Sequence, residues 1–147
     1  MYKKILIATD GTPLSKKAVT HGLQLAQAIN ATVVAFYAVP HYPTTYFEGA
    51  VVWEPAQIAE FEKDWMVQGQ RYVDTVRSEG QALDVAVRGA LVKSDTVAEA
   101  IIQAAKRHKC DLIVMASHGR RGVSRLILGS QANRVVAHST IPVLIVR

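Results

Sequence analysis

The residues best suited to chemistry lie in one stretch, from Met115 to Ser130. Its glycines, Gly119, Gly122 and Gly129, allow backbone amides to approach an anion closely. Arg120, Arg121 and Arg125 add positive charge, and a helical pattern runs from Gln131 to His138. A helix starting at Gly129-Ser130 offers unpaired N–H groups and a favourable dipole to phosphate. The apolar run Leu112–Met115 before the loop reads as a strand. His118 is the side chain here that could move a proton. No nucleophile–base or metal-ligand constellation surrounds it in sequence, so it reads as a loop histidine orienting backbone beside the anion. Cys110 stands beside Lys109, but just before a buried strand it reads as a packed small residue.

Length and charge fit a local ligand. The 147 residues suit one domain with a sizeable core. Half are apolar and a fifth charged, as in ordinary soluble globular proteins. The net charge is +5, with all the excess in residues 112–147, which hold five arginines and no acid. That points to an anionic ligand near the loop rather than a basic coat for a duplex. The apolar run Ile5–Ala8 is too short for a signal peptide core, and no stretch reaches membrane-spanning length. With one cysteine, the expected compartment is a reducing cytoplasm.

The loop needs a scaffold, and the pattern supplies one. Ile5–Thr9 reads as a buried strand. Thr12-Pro13 is a helix start, Leu14, Ala18, Gly22, Leu25 and Ile29 form its inner stripe, and Asn30 is its stop. Thr32–Val39 is a second strand. His41 to Glu54 is a long aromatic loop. Pro55 opens a long helix with Ile58, Phe61, Trp65, Gly69, Tyr72 and Val76 inward and Gly80 as its end. Leu83, Val85 and Val87 alternate as an edge strand. Ser94 caps a helix that has Asp95 in its first turn and Val97, Ile101 and Ala105 inward. Leu112–Met115, the helix Gln131–His138 and the strand Val143–Val146 complete the chain.

Strands alternate with helices throughout. The expected fold is therefore α/β: a single-domain, doubly wound, five-stranded parallel sheet with helices on both faces. An order 3-2-1-4-5 brings Thr9-Asp10 beside the loop after the fourth strand, at the point where strand order reverses. One carboxylate next to an anion loop suits a nucleotide, with Asp10 for base or ribose and Gly129-Ser130 for phosphates.

The whole chain, residues 1–147, resembles the universal stress protein family, specifically its ATP-binding branch. The likeness lies in Lys3-Lys4-Ile5-Leu6-Ile7-Ala8-Thr9-Asp10-Gly11-Thr12, in Asp111-Leu112-Ile113-Val114-Met115-Ala116-Ser117-His118-Gly119-Arg120, and in the closing Val143-Leu144-Ile145-Val146. The family's nucleotide motif is Gly, two residues, Gly, nine residues, Gly, then Ser or Thr. Gly119, nine residues, Gly129 and Ser130 match it; Ala116 stands at the first glycine. Alanine serves there if its φ is negative. The resemblance implies that Thr9 and Asp10 hold adenosine and that the Ala38 backbone contacts adenine. It implies that Met115, Ala116, Gly119, Arg120, Gly129, Ser130, Gln131 and Ala132 line ribose and phosphates, with His118 alongside. The ligand implied is ATP, or ADP or AMP, with Mg²⁺.

Three functions compete. The preferred one is a cytoplasmic ATP-binding stress-response regulator whose nucleotide state modulates its assembly or a partner protein. The second is a slow ATP hydrolase or adenylyl-transfer enzyme, against which stand the lack of a Walker lysine and of carboxylates for Mg²⁺ beyond Asp10. The third is a nucleic-acid binder using the C-terminal arginines. The edge run Ile141–Val146, blunted by no Lys or acid, is expected to pair with its own copy in a homodimer.

Overall fold

The computed structural model describes residues 1–41, 54–119 and 128–147. Nine elements alternate among the described residues. They are β1 (Lys4–Ala8), α1 (Pro13–Ile29), β2 (Thr32–Val39), α2 (Pro55–Ala82), β3 (Val87–Lys93), α3 (Val97–Arg107), β4 (Leu112–Ala116), α4 (Ser130–His138) and β5 (Val143–Val146). The sheet is five-stranded and parallel, in the order β3-β2-β1-β4-β5. The expected doubly wound sheet, its order and its helices on both faces are what the structure shows.

Side-chain alternation divides the sheet into two apolar faces. Ile5, Ile7, Val33, Ala35 and Val114 pack under α1 and α2, through Ala18, Leu23, Val73 and Val76. Leu6, Val34, Phe36, Ile113 and Met115 pack under α3 and α4, through Ile101, Ala105 and Val135. Because β1 lies between β2 and β4, the chain changes face beside β1, and the carboxyl ends of β1 and β4 flank the position where sheets of this kind hold a ligand in a crevice.

Local chemistry accounts for the first helix. Thr12 Oγ1 accepts from Ser15 N–H at 3.2 Å, and Pro13 fills the first turn. Asn30 ends α1 at φ 57°, a left-handed conformation that asparagine tolerates. Its inner face is rotated from the expected stripe: Val19, Leu23 and Ala26 are fully buried, whereas Leu14, Leu25 and Ile29 are half-buried.

Several expectations need correction. Gly80 does not end α2; the helix runs to Ala82, and Gly80 is buried inside it. A Cβ there would lie 2.3 Å from Val87 Cγ2, so the glycine serves close packing on β3. The fully buried face of α2 is Gly69, Val73, Val76 and Gly80, whereas Ile58, Trp65 and Tyr72 are half-buried and Phe61 is 38% exposed. The edge strand begins at Val87, not Leu83. Leu83 and Val85 both donate backbone N–H bonds to Gly80 O, with Asp84 at φ 56° between them, so those residues form the turn. Ser94 is not the cap of α3. Thr96 holds that position, and Ser94 Oγ instead accepts from Thr96 N–H at 3.1 Å. Asp95 precedes the helix and pairs with His41.

Candidate functional site

The carboxyl end of β1 is fixed by a short hydroxyl network. Thr9, almost fully buried, donates its N–H to Phe36 O at 2.9 Å. Its Oγ1 lies 3.3 Å from Ser15 Oγ, which also accepts from Asp10 N–H at 3.3 Å. Thr12 donates to Asp10 Oδ1 twice, from N at 3.0 Å and from Oγ1 at 2.6 Å. These bonds set the direction of the carboxylate. Gly11 makes the turn at φ 76°, and a Cβ on it would lie 2.4 Å from the Tyr72 ring. Only glycine meets both demands.

On the β2 side, Ala8 faces Phe36 in register, so Ala38 lies two residues beyond the last pair. Phe36 O accepts from Thr9, which means Phe36 directs its backbone groups toward β1. Two residues along a strand repeat that orientation. Ala38 therefore points its N–H and C=O over the end of β1, while its methyl packs into the α3 and α4 core.

On the β4 side, Ala116 ends the strand opposite Val146 and is buried. Among the described residues, positive φ occurs at Asn30, Asp84, Lys109 and Gly11, so Ala116 has ordinary negative φ and no glycine is required of it. Met115 is buried against α3 and α4. Ser117 is also buried; its N–H reaches Val146 O at 2.8 Å, and its Oγ lies 2.9 Å from His118 Nδ1, orienting the ring. A Cβ on Gly119 would stand 3.1 Å from Asp10 Oδ2, which puts the two loop ends side by side.

The chain re-enters at Gly129, whose N–H donates to Ser117 O at 2.8 Å. A Cβ on Gly129 would lie 2.8 Å from that oxygen and 3.3 Å from His118 Cα. This contact seats the first turn of α4, which has no side-chain cap, against the end of β4. Ser130 opens the helix on the surface. Ala132 is a core residue whose methyl packs away from the surface. The Gln131 side chain points elsewhere: its Oε1 accepts from Ala98 N–H at 3.1 Å and caps α3. Arg120, Arg121, Gly122 and Arg125 lie outside the described residues, as does the aromatic loop over 42–53.

Thus Thr9, Asp10, Ala38, Met115, Ala116, His118, Gly119, Gly129, Ser130 and Ala132 gather around the crevice. Four supporting residues are not assigned to the site from the sequence, where Thr12 reads as a helix start and Tyr72 as core. Thr12 and Ser15 aim Asp10, Ser117 aims His118, and Tyr72 covers Gly11. Thr12 and Ser15 carry a readable signal, a hydroxyl three residues before another at a helix start. Tyr72 carries none, being 61 residues from Gly11 along the chain. Burial pushes the Cys110 thiol up to about 11, with Lys4 pulling it slightly down and Asp111 up, so it is a packed residue and not a nucleophile.

A family model described as the universal stress protein family matches residues 1–147. The chain belongs to this family. A universal stress protein of Thermus aquaticus is 37% identical over 148 residues, covering 100% of both chains. Another, from Methanocaldococcus jannaschii, is 33% identical over 147 residues, covering 100% of this chain and 83% of its own. Among solved structures, a universal stress protein in complex with cAMP superposes with TM-score 0.72 at 23% identity, over 99% of this chain and 97% of that one. One from Archaeoglobus fulgidus in complex with dAMP gives TM-score 0.69 at 15% identity, over 99% and 98%. These likenesses show the universal stress protein fold.

Proposed function

We propose that the chain binds an adenine nucleotide in the crevice between β1 and β4, as an ATP-binding regulator of the universal stress protein family. The observation that carries this reading is the 2.8 Å bond from Gly129 N–H to Ser117 O. It holds an uncapped helix N-terminus beside the end of β4, where phosphate would meet backbone amides and the favourable end of the dipole. Asp10, aimed by Thr12, takes the ribose, and the Ala38 N–H and C=O take the base edge. The negative φ of Ala116 removes the objection that its missing glycine would raise. Bound cAMP and dAMP in two structures of the same fold support the choice of ligand.

Magnesium would accompany the phosphates rather than occupy a protein cage. Among the described residues no group of three or more His, Cys, Asp or Glu could hold a metal, and Mg²⁺ commonly takes one or two carboxylates plus phosphates and water. Asp10 is the described carboxylate at the crevice. Regulation would act through assembly, with β5 pairing to a second copy, or through a partner protein. No helix among the described residues is long and apolar enough to cross a membrane.

Mass spectrometry of small molecules released from the purified protein, beside thermal melts with ATP, ADP and AMP, tests the reading. At a hundredfold excess over Kd, linkage gives roughly 2.7 kcal/mol. For a domain of this size Tm then rises by roughly 5–10 °C. No shift with any adenine nucleotide at millimolar concentration overturns it. Hydrolysis above background, abolished by a single crevice substitution, would make the site catalytic instead.

A further inference from the structure

We propose that Lys4, Arg88 and His108, with Arg107 adding charge beside them, form a second anion site, at the opposite end of the sheet from the nucleotide crevice, for a small phosphorylated ligand. The residues come from three elements. Lys4 begins β1, Arg88 lies in β3 opposite Val34, and Arg107 and His108 end α3. Leu6 and Val34 face α3, and alternation puts Lys4 on that same face. The α3 terminus therefore hangs over the amino ends of the strands, with cationic side chains on both sides of the gap.

The gap is a hollow of about 220 Å³ bounded by Lys4, Thr32, Val34, Ala86, Arg88 and His108. That is below the roughly 300 Å³ at which pockets for drug-sized ligands begin. It suits a phosphate and a few further atoms. The ion pairs among the described residues use Asp95, Asp74, Glu62 and Glu99, none of them with these cations. Asp111, the acid adjoining Lys4, turns both oxygens onto the backbone N–H groups of Lys3 and Lys4, at 2.8 and 3.0 Å. Arg107 alone would be explained by the dipole of α3. Lys4 and Arg88 stand on strands, where no such term applies.

Burial, then Arg88, Arg107 and Lys4, hold the His108 imidazole below its ordinary value. A bound dianion reverses the three repulsions, since an opposite charge favours the protonated ring. Binding then takes up a proton, and affinity rises as pH falls through neutrality.

Site-resolved NMR of the His108 ring separates this hollow from the loop at Gly129. The whole protein is titrated with inorganic phosphate, with sulfate, and with chloride at matched ionic strength, at about pH 6 and about pH 8. Phosphate is expected to move the His108 signals and raise its pKa, and sulfate, which unlike phosphate stays a dianion at both pH values, is expected to bind more tightly at the lower pH. Arg88→Gln and Lys4→Gln, both at solvent-reachable side chains, should each weaken phosphate about tenfold. Signals that respond equally to chloride, or an affinity indifferent to both substitutions, overturn the site. A hexaglutamate peptide that binds here at lower concentration than phosphate overturns the small-ligand assignment in favour of an acidic protein segment.

Discussion

Asp10 and Thr12 form a unit. Removing the carboxylate leaves the Thr12 N–H and O–H without their acceptor, which costs about 1 kcal/mol of stability. If Asp10 serves the nucleoside end, Asp10→Ala weakens adenosine as well as ATP in calorimetric titrations; loss of ATP alone would assign it to the phosphates. The glycines of the motif divide by what they touch. Gly129→Ala puts a methyl against Ser117 O and should cost about 1–3 kcal/mol, read as a lower Tm without ligand. Gly119→Ala meets only Asp10 Oδ2, which needs to give by a few tenths of an ångström, so its melt should match the parent while nucleotide binding weakens. The motif spacing made both glycines legible, but not their difference. Spacing alone does not show the Ser117 carbonyl, twelve residues earlier, against which Gly129 packs. His108 adds a pH effect. Its pKa is lowered in the folded chain, so its stability is complete above about 6.5 and is lost as pH falls through the folded value. His108→Gln should remove that loss, narrowing the gap between Tm at acid and neutral pH.

At the level of elements, the α2–β3 contact sets two rules against each other. Gly80→Ala gains about 1 kcal/mol of helix propensity. It also drives a methyl to 2.3 Å from Val87 Cγ2 and 3.2 Å from Val85 O, an overlap costing about 1–3 kcal/mol. Packing against backbone cannot relax easily, so the net is a loss, seen as a lower urea midpoint at unchanged slope. A gain would mean that β3 yields. This contact also marks where the sequence stopped being legible. Thr12-Pro13 and Asn30 announced the ends of α1 because caps are local. Gly80 looked like a cap for the same reason, yet its role comes from a strand packed across it. The start of β3 moved because Leu83 and Val85 alternate correctly but are spent on the turn that closes α2. Gln131 was assigned to ligand from the motif, while its side chain caps α3 from another element.

Across the whole molecule, alternation announced a doubly wound parallel sheet, and the assumed order 3-2-1-4-5, with the meeting of Thr9-Asp10 and Gly119, is the one the structure has. The outer edge was read less finely. Ile113 N–H donates to Pro142 O and Ser117 N–H to Val146 O, so even-numbered residues of β5 bond inward to β4. Leu144 therefore spends its amide inside the sheet, while those of Val143 and Ile145 point outward. If β5 joins two copies, Ile145→Pro should give a monomer by light scattering with β4–β5 intact, since proline is tolerated where the N–H faces out. Leu144→Pro should instead lower Tm by breaking the ladder. A parent already monomeric at micromolar concentration would discard this interface. The same alternation gives β5 a signature in deuterium uptake. An isolated chain should exchange the amides of Val143 and Ile145 quickly and that of Leu144 slowly, and association would erase the difference, so consecutive residues of one strand would report whether the edge is covered.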